Sequence, residues 1–83
     1  MLVAQFAEPA DIILLDADLP GDAAFSLCAQ ISGRGQSPRV IMISDSSEPE
    51  RIVRAMRAGA AAWVRKDETI EQLLRVVRGV APG

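Results

Sequence analysis

The sequence predicts an α/β fold in which a parallel sheet of three strands is covered by helices. Apolar runs alternate with helical patterns along the chain, as right-handed βα crossovers require. The apolar runs are continuous, which is typical of strands that are buried on both faces. At 83 residues, of which 49% are hydrophobic, the chain is expected to form one small domain over residues 1–83.

The three predicted strands are short apolar segments bounded by turn or charged residues. They cover residues 12–15, 40–43 and 62–64. Residues 1–9 have apolar side chains at near-helical spacing before a proline, which predicts the remnant of an earlier helix. Residues 81–83 are Ala-Pro-Gly and are predicted to begin a linker.

The sequence contains capping and terminating residues for three helices. Asp22 is a candidate N-cap for the first, which should end before Gly33. Residues 47–50 form a capping box with proline in the first turn, and Gly59 suits the left-handed position after the second helix. The third helix should start near residues 67–69 and carry an apolar stripe as far as the final proline.

Composition excludes several classes of function. The net charge of −2 and the absence of histidine argue against direct nucleic-acid binding by this chain. The single Cys28 permits neither an internal disulfide nor a cysteine cluster for zinc, which suits a reducing compartment. No apolar stretch is long enough to span a bilayer and no signal-peptide pattern is present, so we expect a cytoplasmic protein without a membrane partner.

Polar side chains follow each predicted strand. Ligands of open parallel sheets bind beyond the carboxyl ends of the strands, and these ends carry Asp16, Ser44 and Lys66. A carboxylate that accepts a phosphoryl group needs a hydroxyl to hydrogen-bond the product and a cation to neutralise its charge. The three residues therefore predict one cleft with the groups needed for phosphoryl chemistry.

The motifs "IILLDADLPG", "VIMIS" and "AGAAAWVRKD", followed by a closing amphipathic helix, resemble the response-regulator receiver domain, the CheY-like family. The resemblance covers nearly the whole chain. It implies a three-layer flavodoxin-like parallel sheet that is reduced to three strands, equivalent to the last three βα units of a receiver. The ending "EQLLRVVRGVAPG" is similar to receivers that precede a helix-turn-helix DNA-binding domain in bacterial transcription regulators.

The resemblance also implies roles for individual residues in a two-component system. Asp16 corresponds to the phosphoacceptor, Ser44 to the switch hydroxyl that contacts the phosphoryl group, and Lys66 to the basic residue that contacts the same group. Trp63 corresponds to the aromatic switch residue. A receiver of this kind is a signalling module and not an enzyme.

The family's magnesium site is expected to be weak in this chain. Asp16 and Asp18 supply oxygen ligands, but the acidic pair that follows the family's first strand has no counterpart here, and magnesium prefers a near-octahedral oxygen cage. We therefore expect no tightly bound cofactor. Asp45, which follows the switch hydroxyl, has two interpretations: it is a substitute metal ligand, or either Asp45 or Ser46 simply helps to begin the next helix.

The shortened sheet predicts association with another chain. Without the family's first strand, the strand of Ile12 and Leu14 would be an exposed apolar edge. The last helix would leave an apolar face uncovered, formed by Ile70, Leu74 and Val77. The second helix carries a basic stripe that forms either a solvated face or a partner surface, and this stripe consists of Arg51, Arg54 and Arg57. The simplest expectation is a two-fold homodimer.

Three functional hypotheses follow from the sequence. The first is an atypical receiver that acts by dimerisation or protein interaction without normal magnesium-dependent phosphorylation, with a histidine kinase or another signalling protein as its partner. The second is a fragment of a working aspartyl-phosphate receiver. The third is a phosphatase that uses Asp16 as the nucleophile and Asp18 as the general acid.

Overall fold

The computed structural model describes residues 3–5, 12–33 and 38–80. Four strands and three helices lie within these ranges. In chain order they are β1 (Val3–Gln5), β2 (Ile12–Asp16), α1 (Ala23–Ser32), β3 (Arg39–Ser44), α2 (Pro49–Arg57), β4 (Ala62–Arg65) and α3 (Ile70–Val80). The alternation of strands and helices from β2 onward confirms the predicted α/β fold.

The four strands form one sheet in the order β1-β2-β3-β4. The pairs β2–β3 and β3–β4 are parallel, which confirms the three predicted parallel strands. The register places Asp16 opposite Ile43 and Ser44 opposite Arg65, so the carboxyl ends of all three strands meet at the same edge of the sheet. This edge is where the sequence places the cleft.

Strand β1 corrects two expectations drawn from the sequence. Residues 3–5 form a strand and not a helix remnant; they pair antiparallel with β2, with Val3 opposite Leu15. The other residues of the predicted remnant, and residues 81–83 of the predicted linker, lie outside the described residues. Because β1 covers β2, that strand is not the edge of the sheet. Ile12 and Leu14 are 2% and 8% exposed. The prediction that they form an exposed edge, and therefore an interface, is wrong.

The core lies on both faces of the sheet, as the continuous apolar strands predict. Alternate residues of β2 point to opposite sides: Ile13 and Leu15 pack with α1 and α2, whereas Ile12 and Leu14 belong to the cluster against which α3 packs. The result is a three-layer arrangement with α1 and α2 on one face and α3 on the other. None of the described helices is long and apolar enough to cross a membrane.

The helix ends differ from the sequence prediction in their detail. Asp22 is the N-cap of α1 but makes no capping hydrogen bond with its side chain. The N-cap of α2 is Glu48, and its amide donates to Ser46 Oγ at 3.1 Å, so Ser46 helps to begin this helix. Helix α3 starts after Thr69, whose Oγ1 accepts the Gln72 amide at 3.1 Å. Each helix therefore begins within a few residues of its predicted start.

Candidate functional site

The structure brings Asp16, Ser44 and Lys66 together at the carboxyl edge of the sheet. Asp16 ends β2, Ser44 ends β3, and Lys66 follows β4 directly. Its Nζ lies 3.0 Å from Asp16 Oδ1 and also contacts the second carboxylate at this edge, Asp18, at 3.1 Å from Oδ2. The two carboxylates lower the energy of the charged ammonium, so the hydrogen bonds to Asp16 and then to Asp18 raise the pKa of Lys66.

Asp18 is the most connected side chain of the site. Its Oδ1 accepts hydrogen bonds from the Ser44 hydroxyl and from Arg51 Nη1, the latter at 3.2 Å. Its Oδ2 accepts the Asp45 amide at 2.7 Å and faces Lys66 Nζ. Two donors on each oxygen account for the roughly four acceptor positions of a carboxylate.

These contacts decide the charge of Asp18. Burial alone would raise the pKa of Asp18, but the hydrogen bonds from Ser44, the Asp45 amide, Lys66 and Arg51 outweigh it and lower the pKa well below its ordinary value. The side chain is 22% exposed. Asp18 is therefore a firmly ionised carboxylate in a partly enclosed site.

The chain around Asp18 is held in a fixed turn. The Asp18 amide donates to Asp16 Oδ1 at 2.8 Å, which links the two acidic residues across one intervening position. The Ala17 amide donates to Ile43 O at 2.8 Å and continues the pairing of β2 with β3 for one more residue. The backbone therefore directs the Asp18 side chain towards the end of β3.

Arg51 enters the site from the first turns of α2. Its Nη2 donates to Ala17 O at 2.6 Å, and its Nη1 lies 3.3 Å from Ser44 Oγ as well as contacting Asp18. Arg54, which follows three residues later on α2, pairs instead with Asp22 at 2.8 Å outside the site. Arg51 therefore belongs to the site, whereas the interpretation of the three arginines as a solvated face or a partner surface stays a prediction.

Trp63 is half-buried and connects β4 to the loop that follows β3. Its indole Nε1 donates to Ser46 O at 2.9 Å, and the Arg51 guanidinium lies 5.6 Å from the ring centroid. The Ser46 amide in turn donates to Ser44 Oγ at 3.0 Å. A continuous path of hydrogen bonds thus leads from Asp18 through Ser44 and Ser46 to Trp63.

The donors and acceptors at this edge do not fit a magnesium ion. The carboxylates of Asp16 and Asp18 face Lys66, and Asp18 also faces Arg51, so both carboxylates already have protein cations as their counter-charges. Within residues 12–33 and 38–80, no group of three or more His, Cys, Asp or Glu side chains could hold a metal. Asp45 contributes its amide to Asp18 while its side chain is exposed, which gives no support to its role as a substitute ligand.

Helix α3 leaves apolar side chains on the surface, as the sequence predicts. Ile70 is 76% exposed and Leu74 is 42% exposed, and α3 has no fully buried residue. Val77 is half-buried and packs against the cluster that contains Ile12 and Leu14. This face remains a candidate for contact with another chain.

Sequence reasoning missed the central roles of Asp18 and Arg51. The sequence assigns Asp18 to a weak metal site or, in the phosphatase hypothesis, to the general acid, and it assigns Arg51 to a helix surface. A signal for Arg51 exists in its position two residues after Pro49, because side chains in the first turns of a helix that follows a parallel strand lie close to the carboxyl edge of the sheet. No sequence pattern shows that Asp18 and Ser44 pair through their side chains.

Comparison with known proteins agrees with this geometry. The family described as "Response regulator receiver domain" matches residues 2–78. The Fimbriae Z protein of Salmonella typhimurium is 32% identical over 75 residues, which cover 90% of this chain and 36% of that protein. The nitrate/nitrite response regulator protein NarL of Escherichia coli is 31% identical over 81 residues, which cover 98% of this chain and 37% of that protein.

The fold has a close counterpart among solved structures. A response regulator from Thermotoga maritima superposes with a TM-score of 0.78 at 21% identity, covering 86% of this chain and 59% of that one. The present chain spans about a third of the length of the two curated relatives, since it covers 36% and 37% of them. From the match over residues 2–78 and the shared sheet, the chain belongs to the response regulator receiver domain family of two-component systems.

Proposed function

We propose that this chain is an atypical receiver module that acts by protein interaction in bacterial signalling, without normal magnesium-dependent phosphorylation of Asp16. The observation that carries the proposal is the pairing of both carboxylates at the carboxyl edge with protein cations. Lys66 contacts Asp16 and Asp18, and Arg51 contacts Asp18. The negative charge that would attract a metal is thus already neutralised within the chain.

The physical argument concerns competition for the same oxygens. Magnesium prefers a near-octahedral set of oxygen ligands, usually several waters with one or two carboxylates, so it needs carboxylate oxygens that protein donors do not already occupy. Here all four carboxylate oxygens of Asp16 and Asp18 accept hydrogen bonds from protein groups. Transfer of a phosphoryl group to a carboxylate relies on electrostatic stabilisation, so a weakened metal site should slow it by orders of magnitude.

The proposed partners are a second copy of this chain and a histidine kinase or another signalling protein. Exposed apolar residues on α3 support a homodimer through that helix, since Ile70 and Leu74 contribute large apolar side chains to the surface. The similarity of the chain to response regulators, one of them a probable transcriptional regulatory protein, supports a role for the proposed module in bacterial transcription regulation.

Intact-mass spectrometry after incubation with acetyl phosphate and magnesium tests the proposal. We expect no phosphoryl adduct on the native chain under conditions that label an intact receiver, and none on the Asp16→Asn control. An adduct that is present on the native chain and absent from the control would overturn the proposal. It would favour the second hypothesis, in which the chain is a piece of a working phosphoacceptor.

That second hypothesis has one observation in its favour. Asp16 and Lys66 lie 3.0 Å apart at the sheet edge, with Ser44 at the end of the neighbouring strand, as a phosphoacceptor site of this family implies. The phosphatase hypothesis is weaker, because its general acid would be Asp18. A carboxylate whose pKa is lowered by four donors holds no proton to give near neutral pH.

A further inference from the structure

The hydroxyl of Ser44 is fully used within the protein. It donates its single proton to Asp18 Oδ1, and its oxygen accepts the Ser46 amide at 3.0 Å and Arg51 Nη1 at 3.3 Å. Ser44 is 0% exposed, so water does not compete for these positions. A hydroxyl has one donor and two acceptor positions, so Ser44 could donate to another anion only if Asp18 withdrew.

Lys66, like Ser44, is engaged by Asp18. Its ammonium contacts Asp16 at 3.0 Å and Asp18 at 3.1 Å, so it bridges the proposed phosphoacceptor and the neighbouring carboxylate. The Asp45 amide, which points into the same space, is bound by Asp18 Oδ2 at 2.7 Å. The hydroxyl and the ammonium that the family resemblance assigns to a phosphoryl group are therefore both engaged by one carboxylate of this chain.

We propose that the Asp18 carboxylate is a resident anion, meaning a group of the protein that occupies the place of a phosphoryl group and holds Ser44 and residues 45–46 in their anion-bound arrangement. The inference rests on the proposed function, since it explains how a receiver could keep one signalling conformation without phosphorylation. The hydrogen bonds from Ser46 to Ser44 and from Trp63 to Ser46 extend this arrangement to β4.

Arg51 gives the resident anion its stability. The guanidinium contacts Asp18, Ser44 and the Ala17 carbonyl at once, which ties α2 to the ends of β2 and β3. Withdrawal of Asp18 would leave the positive charges of Arg51 and Lys66 and two uncharged donors facing an empty site. Such a site should bind a small tetrahedral oxyanion from solution.

The test compares Asp18→Ala with the native 83-residue chain by 15N NMR, with inorganic phosphate as the probe. The control variant is Asp22→Ala, which removes an exposed carboxylate paired with Arg54 outside the site. We expect the Asp45 amide to lose its hydrogen-exchange protection in Asp18→Ala and to keep it in Asp22→Ala.

The phosphate titration supplies the second measurement. Phosphate should change the chemical shifts of the Asp45 and Ser46 amides of Asp18→Ala. Its affinity for this variant should be at least about tenfold higher than for the native chain, which is the factor that one charge-assisted hydrogen bond provides. Equal affinity in the two proteins, including no binding to either, would overturn the proposal. So would an Asp45 amide that stays protected in Asp18→Ala.

Two further measurements keep the result decisive. If Asp18→Ala does not fold, Asp18→Asn replaces it, and an unprotected Asp45 amide in the native chain is by itself sufficient to refute the resident anion. The mass measurement of phosphorylation is independent of these signals. A native chain that is phosphorylated but shows a protected Asp45 amide would refute the proposed function and leave the resident anion standing.

Discussion

Arg51 illustrates how one side chain can connect three elements. Its contacts reach the turn after β2, the end of β3 and the Trp63 ring on β4, although the residue itself lies on α2. A guanidinium can do this because its planar fork presents five donors in fixed directions. Lysine at the same position would offer a point charge and could not reach all of these acceptors together.

Replacement of Arg51 by Gln should therefore destabilise the fold. The change removes the charged donor of the Ala17 carbonyl and leaves Asp18 with Lys66 as its remaining charged donor, so we expect the free energy of unfolding to fall by about 1–2 kcal/mol. Arg57→Gln on the exposed end of the same helix is the matched control and should change it by less than about 0.5 kcal/mol. Urea denaturation followed by Trp63 fluorescence measures both. Equal losses in the two variants would contradict the role given to Arg51.

The buried thiol of Cys28 makes the stability depend on alkaline pH. Cys28 is 0% exposed, and burial raises the pKa of its thiol. The unfolded chain therefore loses this proton first, so the free energy of unfolding should be constant below the ordinary thiol pKa of about 8.5 and decrease as the pH rises above it. Urea denaturation between about pH 7 and 10, a range that starts below the ordinary thiol pKa, measures the slope.

Cys28→Ala supplies the control for this dependence. Its unfolding free energy should be lower at neutral pH, because a core side chain is truncated, but it should vary less over the same pH range. Lys66 does not confound the comparison, because its pKa is raised from an ordinary value of 10.5. Parallel pH profiles for the native chain and the variant would show that the thiol is not the cause.

At the scale of elements, the turn between α2 and β4 depends on Gly59. Its φ of 104° lies in the left-handed region, and a Cβ built there would lie 2.4 Å from the Ser32 side chain of α1. The Ser32 hydroxyl donates to Gly59 O at 3.3 Å, so the same close approach joins α1 to the turn that follows α2. Only glycine combines this backbone conformation with this packing.

Alanine substitutions at two glycines should have opposite effects. Gly59→Ala should lower the free energy of unfolding by at least about 1–2 kcal/mol from backbone strain alone. Gly79→Ala, in α3 with nothing within 4 Å of its Cβ position, should raise it by about 0.5–1 kcal/mol through helix propensity. Thermal or urea denaturation distinguishes the signs, and a loss of stability in both variants would contradict this account.

The sequence predicts these elements better than it predicts the site. The continuous apolar runs, Gly59 and the start of α3 all depend on local patterns, and each is confirmed. Strand β1 is missed because a three-residue strand is defined by its pairing with β2 and not by any periodicity of its own. The Asp18–Ser44 contact is missed because it joins side chains 26 residues apart, whose orientations depend on packing.

At the scale of the whole molecule, the two faces of the sheet are covered unequally. Helices α1 and α2 bury Phe25, Cys28 and Ala55 on one face, whereas α3 covers the other face without burying any of its own residues completely. So small a core supplies only a few kcal/mol of stability. Burial of the α3 face against a second chain would therefore stabilise both the interface and the fold.

Sedimentation velocity over a range of concentrations tests the homodimer. We expect the native chain to associate, and the double substitution Ile70→Lys and Leu74→Lys to shift it to monomer. Met56→Lys is the matched control, because Met56 is an exposed apolar residue at 42% on α2, on the opposite face of the sheet. A native chain that stays monomeric at all concentrations, or a shift to monomer in the Met56 control alone, would argue against dimerisation through α3.

The short strand β1 also bears on the tendency of the protein to aggregate. An exposed sheet edge can add strands from other molecules and start a fibril, and a long apolar edge does so most readily. Here β1 places a three-residue strand outside the apolar β2, and the opposite edge is the four-residue β4, which ends in Arg65. Within the part of the chain that the structure describes, both edges offer few backbone groups for an added strand. We therefore expect this arrangement to limit open-ended polymerisation through the most apolar strands of the sheet.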